Sequence, residues 1–253
     1  MGSFGASRAN PFGQKKPTSA APDIYWIDEH KGEHMLHAGP ELTHVQLERS
    51  LASREPINYP HKRNYQGFYW FAQLEHLVWY ESLVECAALR MLDHFCTIRG
   101  ISAQPFCIVF PNNLRHYPDY FAVHASGEQV VYDVRPAALL DPKTIQTFVM
   151  TESVCQAVGW RYEVLTGAPN RSASQNLEWI AGYRFDRFAP PSAVVESVRA
   201  ICADPVSIGR AASALGFPTA YAALFHLMWK RALFFDLMAP LGDDTLIIWD
   251  GEP

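Results

Sequence analysis

From Tyr80 to His94 the chain is made of good helix formers with no Gly or Pro, and the segment closes at Gly100. A strand is predicted over about Ala103 to Phe110, followed by a loop through Pro111, Asn112 and Asn113. Alternation over Asp119 to His124 and Gln129 to Arg135, joined by Ala125-Ser126-Gly127-Glu128, predicts a β-hairpin. A helix over about Pro142 to Val158, stopped at Gly159, and a strand over Arg161 to Leu165 come next. Helix, three strands, helix, strand is the order of an α/β layer domain. After Pro190-Pro191 the texture changes. Three helices are predicted at Val194 to Ile201, Ile208 to Leu215 and Ala220 to Leu233. Phe234 to Met238 and Thr245 to Trp249 flank a turn at Pro240 to Asp244. Three helices plus a hairpin is the plan of a winged helix.

The remaining chain is less patterned. Residues 1–22 are rich in Gly, Ser, Ala and Pro, with Arg8, Lys15 and Lys16 but no acid, and read as a disordered tail. Residues 23–75 show few clear periods and read as an N-terminal extension. The expected organisation is therefore tail, extension, an α/β domain over 76–188 and a winged-helix-like domain over 189–253.

Composition bounds the classes. At 253 residues, 49% hydrophobic and 13% aromatic, the chain can build a real core, which excludes global disorder. No apolar run is as long as a membrane span, and the N-terminus lacks the apolar region of a signal peptide. Five cysteines, Cys86, Cys96, Cys107, Cys155 and Cys202, form no CxxC pair, and are expected as buried thiols of a cytoplasmic protein. The net charge of −5 does not advertise nucleic acid, whose binding usually shows as a basic patch. Any DNA contact must then come from a local site or a partner.

Two places carry unusual acids. Glu85 sits among Leu83, Val84, Cys86, Ala87, Ala88, Met91 and Leu92 on a helix that is apolar nearly all round, with Glu81 four residues before it. Such a helix is normally buried, and a glutamate is rarely buried unpaired. The bland alternative is a surface glutamate facing outward. In the hairpin, alternation puts Asp119, Phe121 and Val123 on one face, and Val131, Asp133 and Arg135 on one face of the returning strand. With the turn between Ser126 and Gly127, Asp119 lies opposite the stretch from Asp133 to Arg135. Two carboxylates a few ångströms apart repel by about 1 kcal/mol in water and about 4 kcal/mol at an effective dielectric of 20. Such a pair raises one pKa or binds a cation. His30, His34 and His37 look like a metal triad, but Gly32 interrupts them and no other ligand completes the set, so they read as scattered surface histidines. His61-Lys62-Arg63 reads as a solvated loop, with phosphate contact as the sharper alternative.

Pro118-Asp119 followed by Asp133-Val134-Arg135 is the outline of the PD-(D/E)xK nuclease motif. Together with Tyr80-Glu81-Ser82-Leu83-Val84-Glu85 and Gln104-Pro105-Phe106, in this order and spacing, it resembles the N-terminal catalytic domain of TnsA-type endonucleases, over roughly residues 77 to 167. The resemblance implies a restriction-endonuclease-like core, a mixed sheet flanked by helices, followed by a small winged-helix domain. Trp229 to Leu237 and Thr245-Leu246-Ile247 look like that C-terminal module. It also implies a DNA endonuclease that nicks transposon ends as part of a heteromeric transposase. By motif, Glu85 and Asp119 match metal-ligand positions, Asp133 falls at an acidic or amide position, and Arg135 falls where the family has its catalytic lysine. The implied cofactor is Mg²⁺, with Mn²⁺ as substitute, as one or two ions on Glu85, Asp119 and Asp133; hard cations take oxygen ligands.

Arg135 keeps the charge of a lysine but is bulkier and cannot give up a proton. Lys143, at the start of the next helix, is a candidate displaced ammonium or an ordinary surface lysine. Residues 190–253 hold four Lys/Arg against seven Asp/Glu, and the third helix starts Thr219-Ala220-Tyr221-Ala222-Ala223, without the Arg, Asn or Gln of a groove reader. Protein docking is the favoured role for this half. The resemblance implies double-stranded DNA and a transposase or ATPase regulator as partners. The alternatives are a nuclease-derived scaffold with weakened cleavage and a stand-alone restriction or repair nuclease.

Overall fold

The computed structural model describes residues 11–54, 65–168 and 170–251, and these fall into two compact units. The first comprises the chain up to Cys86 and Thr97–Gly167; the second comprises Ala87–Cys96 and the chain from Ala168 onward. The molecule is mixed α/β. His61-Lys62-Arg63 and Arg8 lie outside the described residues.

In chain order the first unit contains β1 (Asp23–Ile27), β2 (Glu33–His37), β3 (Gly67–Phe71) and β4 (His76–Tyr80), then the start of α1 (Leu83–Phe95). There follow β5 (Ile98–Ala103), β6 (Phe106–Val109), β7 (Arg115–His116), β8 (Tyr120–His124), β9 (Gln129–Val134), α2 (Pro142–Val158) and β10 (Arg161–Leu165). One sheet has the order β2-β1-β6-β7 and the other β10-β9-β8-β5, with β3 and β4 as a separate antiparallel pair. The second sheet is mixed: β5, β8 and β9 are antiparallel, while β10 runs parallel to β9 after the α2 crossover.

The segment from Ala103 to Phe110, predicted as one strand, is two. Gln104 takes a left-handed backbone (φ 49°), and Pro105 follows it with no N–H for a ladder. The chain therefore leaves one sheet as β5 and enters the other as β6. The extension over 23–75 is part of this unit, since β1 pairs with both β2 and β6. The end of the expected tail is packed too: Phe12 is buried with Tyr25, Cys107 and Val109, and its carbonyl accepts from Arg115 Nε at 3.2 Å. The core between the elements is aromatic and branched, with Phe106 stacked on Trp160 at 5.3 Å and Phe121 edge-on to it at 5.4 Å.

The helix predicted from Tyr80 starts at Leu83, because Tyr80 pairs with Gly67 in β4. Its first turn is fixed by Ser82 and Glu85. Glu85 N–H donates to Ser82 Oγ at 3.2 Å, and Glu85 in turn accepts from Ser82 Oγ at 2.8 Å and from Glu81 N–H at 2.7 Å. This is a capping box in all but detail. α2 begins on an Asp141 cap, with Thr144 N–H at 2.7 Å, and ends at left-handed Gly159.

The second unit contains α3 (Arg171–Ala181), α4 (Ser192–Ile201), β11 (Val206–Ser207), α5 (Ile208–Leu215), α6 (Ala220–Trp229), β12 (Leu233–Phe235) and β13 (Leu246–Trp249). Its three strands pair in the order β11-β13-β12. α6 stops short of Leu233 because Arg231 turns left-handed (φ 64°), which sends Leu233 into β12. Leu177, Ile180, Val198, Leu224 and Met228 share one buried core. All five cysteines are free thiols, and no helix among the described residues is long and apolar enough to cross a membrane.

Candidate functional site

The β8–β9 register pairs Tyr120 with Tyr132 and Phe121 with Val131, so one step further Asp119 stands beside Asp133. Val134 N–H donates to Asp119 Oδ2 at 2.7 Å. The Asp119 carbonyl accepts from Gln104 N–H at 2.8 Å. Hence the left-handed residue that parts β5 from β6 also fixes the backbone of Asp119. Asp119, Asp133, Glu85 and Arg135, the four residues singled out in the sequence, line one cleft of about 490 Å³, along with Arg54, Arg115, His116 and Lys143. Lys143, Thr144, Thr147 and Phe148 reach it from the first two turns of α2, positions that share a helix face.

The electrostatics are uneven. Burial, and then the negative charges of Asp133 and Glu85, push the Asp119 carboxyl well above the usual carboxylate range. Burial also raises Glu85, against the hydrogen bonds from Glu81 N–H and Ser82 that favour its charged form. Asp133 is 2% exposed, and its Oδ2 meets both His116 Nε2, at 2.7 Å, and the Tyr162 hydroxyl, which donates to it. Burial first and the Asp133 charge second hold the Tyr162 phenol far up, so it remains a donor. Arg135 donates Nε to the Leu139 carbonyl at 3.2 Å and makes no ion pair with another described residue within 4.0 Å. Arg54 pairs with Glu81 at 2.8 Å and lies over the Tyr117 ring.

Three participants escaped the sequence reading. His116 lies only three residues before Asp119, in the unassigned stretch between the Pro111–Asn113 loop and the hairpin, and belongs to β7. Tyr162 was placed on the right strand, but only the parallel β9–β10 pairing brings it to Asp133. Ser82 is the third: the Ser82-x-x-Glu85 spacing is that of a capping box, absent from the sequence reading, and the Ser82 hydroxyl and Glu81 N–H occupy the two Glu85 oxygens. The histidines at 34 and 37 do not form a triad: His34 meets Asp28 and His37 meets Asp23, each at 2.7 Å.

Oxygen donors are what a hard divalent cation takes, and Asp119 presents Oδ1 without a hydrogen-bond partner among the described residues. A cation there would reverse the penalty that Asp133 and Glu85 impose on ionised Asp119, so the donor set fits such an ion. Among the described residues no three His, Cys, Asp or Glu side chains stand ready-converged as a ligand cluster. Both Glu85 oxygens accept protein hydrogen bonds, whereas those to Asp133 converge on its Oδ2. Set against known proteins, the chain matches no protein-family model and no curated protein sequence.

Proposed function

We propose that the chain is a metal-dependent DNA endonuclease of the TnsA type, a subunit that nicks DNA at transposon ends within a heteromeric transposase. The observation that carries this reading is that Glu85, Asp119 and Asp133 line one cleft together with Arg54, Arg135 and Lys143. The sheet order β10-β9-β8-β5, with α2 crossing over from β9 to a β10 that runs parallel to it, supports a restriction-endonuclease-like core. The order α4-β11-α5-α6-β12-β13, with its three-stranded sheet, supports a winged helix.

Asp119, Glu85 and Asp133 are the residues that would hold Mg²⁺ or Mn²⁺. When bound, the divalent ion would supply an activated water at neutral pH and a counter-charge for the scissile phosphate. Tyr162 and His116 orient Asp133 through its Oδ2. Arg135 and Lys143 hold the phosphodiester of double-stranded DNA against the carboxylates, a fixed charge at the position where negative charge develops. The second unit docks a transposase or an ATPase regulator.

The test is nicking of supercoiled plasmid by the full chain, alone and with its partner, with Mg²⁺ or Mn²⁺. Cleavage that requires metal and is lost in Asp119→Ala is the expected result. Protein that binds no divalent ion by calorimetry and cuts no DNA form overturns the reading. One observation favours a second reading, a scaffold with lost cleavage: Arg135 stands at the lysine position and is drawn to the Leu139 carbonyl. On that reading Arg135→Lys creates cleavage where the parent has none.

A further inference from the structure

Three aromatic side chains of the second unit gather around Phe225. Tyr183 lies 5.0 Å from it, Tyr221 6.2 Å and Trp179 6.3 Å, the last edge-on at 80°. Trp179 comes from the end of α3, Tyr183 from the turn after it, and Tyr221 and Phe225 from successive turns of α6. Phe225 is buried at 8% exposure, whereas Trp179 is 58% exposed and Tyr221 39%. Phe225 is thus the floor and the others the walls of a hollow of about 600 Å³, closed on its remaining side by Pro240–Asp243.

The charge in this hollow has one sign. Its lining includes the Asp243 carboxylate and no lysine or arginine. Asp243 Oδ1 accepts from the Tyr221 hydroxyl at 2.9 Å, which leaves Oδ2 without a partner among the described residues. Aromatic faces carry negative potential and attract cations, and a carboxylate beside them adds to that field. A phosphate would meet repulsion from Asp243 and find no cation in the lining.

The hollow is built before any ligand arrives. Asn176 Nδ2 donates to the carbonyls of Leu237, at 2.9 Å, and Ala239, at 2.7 Å, pinning the loop that ends at Asp243. Gly209 N–H donates to the Asp243 carbonyl at 2.9 Å, and a Cβ at Gly209 would sit 3.3 Å from Asp243 Cβ. A site held in this way pays little ordering cost on binding.

We propose that this hollow is a binding site for an arginine side chain presented by a protein partner, a step that rests on the docking role given to the second unit but not on the metal chemistry of the cleft. The guanidinium stacks flat on an aromatic wall and presents a two-pronged donor edge to Asp243; lysine offers charge without either match. Placement on α6, the helix a winged helix would lay in a DNA groove, makes the negative sign informative. This surface is set up to accept protein and to reject the phosphate backbone.

The experiment uses the full chain labelled at its tryptophan indoles and titrated by NMR with short blocked Gly–Arg–Gly, Gly–Lys–Gly and Gly–Gln–Gly peptides and with oligothymidylate. The arginine peptide is expected to move the indole resonance that is missing from Trp179→Ala, the lysine peptide to move it more weakly, and the glutamine peptide not to move it. Asp243→Asn, which keeps the shape and removes the charge, is expected to weaken arginine binding about tenfold. No arginine-dependent shift overturns the proposal, as does equal binding by the glutamine peptide, unchanged affinity in Asp243→Asn, or stronger shifts with oligothymidylate. Co-elution of the chain with its transposase or ATPase regulator is measured apart. If co-elution occurs and the peptide does not bind, only this site falls; if the peptide binds and no co-elution occurs, the docking role falls.

Discussion

The cleft of the first unit and the aromatic hollow of the second are opposite solutions to placing a carboxylate where a ligand will come. In the cleft, carboxylates are crowded together and surrounded by Arg54, Arg135 and Lys143, so the surface favours a cation inside and an anion across the mouth. In the hollow, one carboxylate stands among π faces with no basic residue in the lining, so the surface favours a cation alone. What separates them is the company the acid keeps, not the acid itself. Net charge averages the two away: a chain at −5 carries one surface suited to phosphate and another that repels it.

The largest effect should come from Asp119→Asn, which is expected to abolish nicking while raising the melting temperature of the metal-free protein at neutral pH. The sign follows from linkage. The folded carboxyl titrates above its unfolded value, so its contribution to stability is full below the unfolded pKa and is lost as pH rises through the folded one. Removing the ionisable group recovers that loss. A variant that is both inactive and less stable by calorimetry would contradict the picture of a strained, cation-seeking cleft. Next, Arg135→Ala is expected to slow nicking about a hundredfold, as for loss of a positioned donor, while Arg135→Lys keeps activity. Equal rates for all three would remove Arg135 from the site. A smaller change is expected from Tyr162→Phe, which takes one donor from Asp133 Oδ2 and should weaken Mn²⁺ binding about tenfold in calorimetry.

The subtlest contrast concerns pH. His94 Nδ1 donates to the Trp229 carbonyl at 3.1 Å, and burial lowers its pKa from 6.5 to about 4. A histidine depressed in the folded state contributes stability above its unfolded pKa that is lost as pH falls through the folded one. The second unit should therefore lose about 3 kcal/mol between neutral pH and the acid side of that range, read as faster amide exchange around α6. The Asp119 contribution in the first unit runs the other way. His94→Gln should reduce the acid loss in the second unit, and the part that remains belongs to His226, which burial also lowers.

The sequence made the hairpin, α2, β10 and α5 legible because each has strong local punctuation. Pro142 and Gly159 bracket α2, and Ser126-Gly127 turns the hairpin. The register followed from counting outward from that turn, which is why Asp119 and Asp133 could be paired on paper. Legibility failed where the deciding interaction is distant in the chain. Nothing local says that β6 leaves the sheet of β5 to pair with β1, or that Tyr162 shares a carboxylate with a histidine 46 positions earlier, 162 less 116. The Arg171–Ala181 segment carries no assignment in the sequence reading although Ala173, Leu177, Ile180 and Ala181 fall at helical spacing, and α3 supplies both Asn176 and Trp179 to the hollow. Glu85 is a different case: its apolar neighbours are visible in the sequence, whereas its hydrogen bonds with Ser82 and Glu81 N–H form no part of that reading.

Gln104 has a consequence for anyone who would engineer this chain. Its carbonyl accepts from Ser53 N–H and its own N–H donates to the Asp119 carbonyl, so one residue clamps three stretches of sequence. Splicing even one extra residue between Ala103 and Pro105 would turn every β6 side chain to the opposite face of its sheet and unclamp the aspartate at the same stroke. The Ser126–Gly127 bend, where an added Cβ meets nothing within 4 Å, is the place for a tag or a reporter domain.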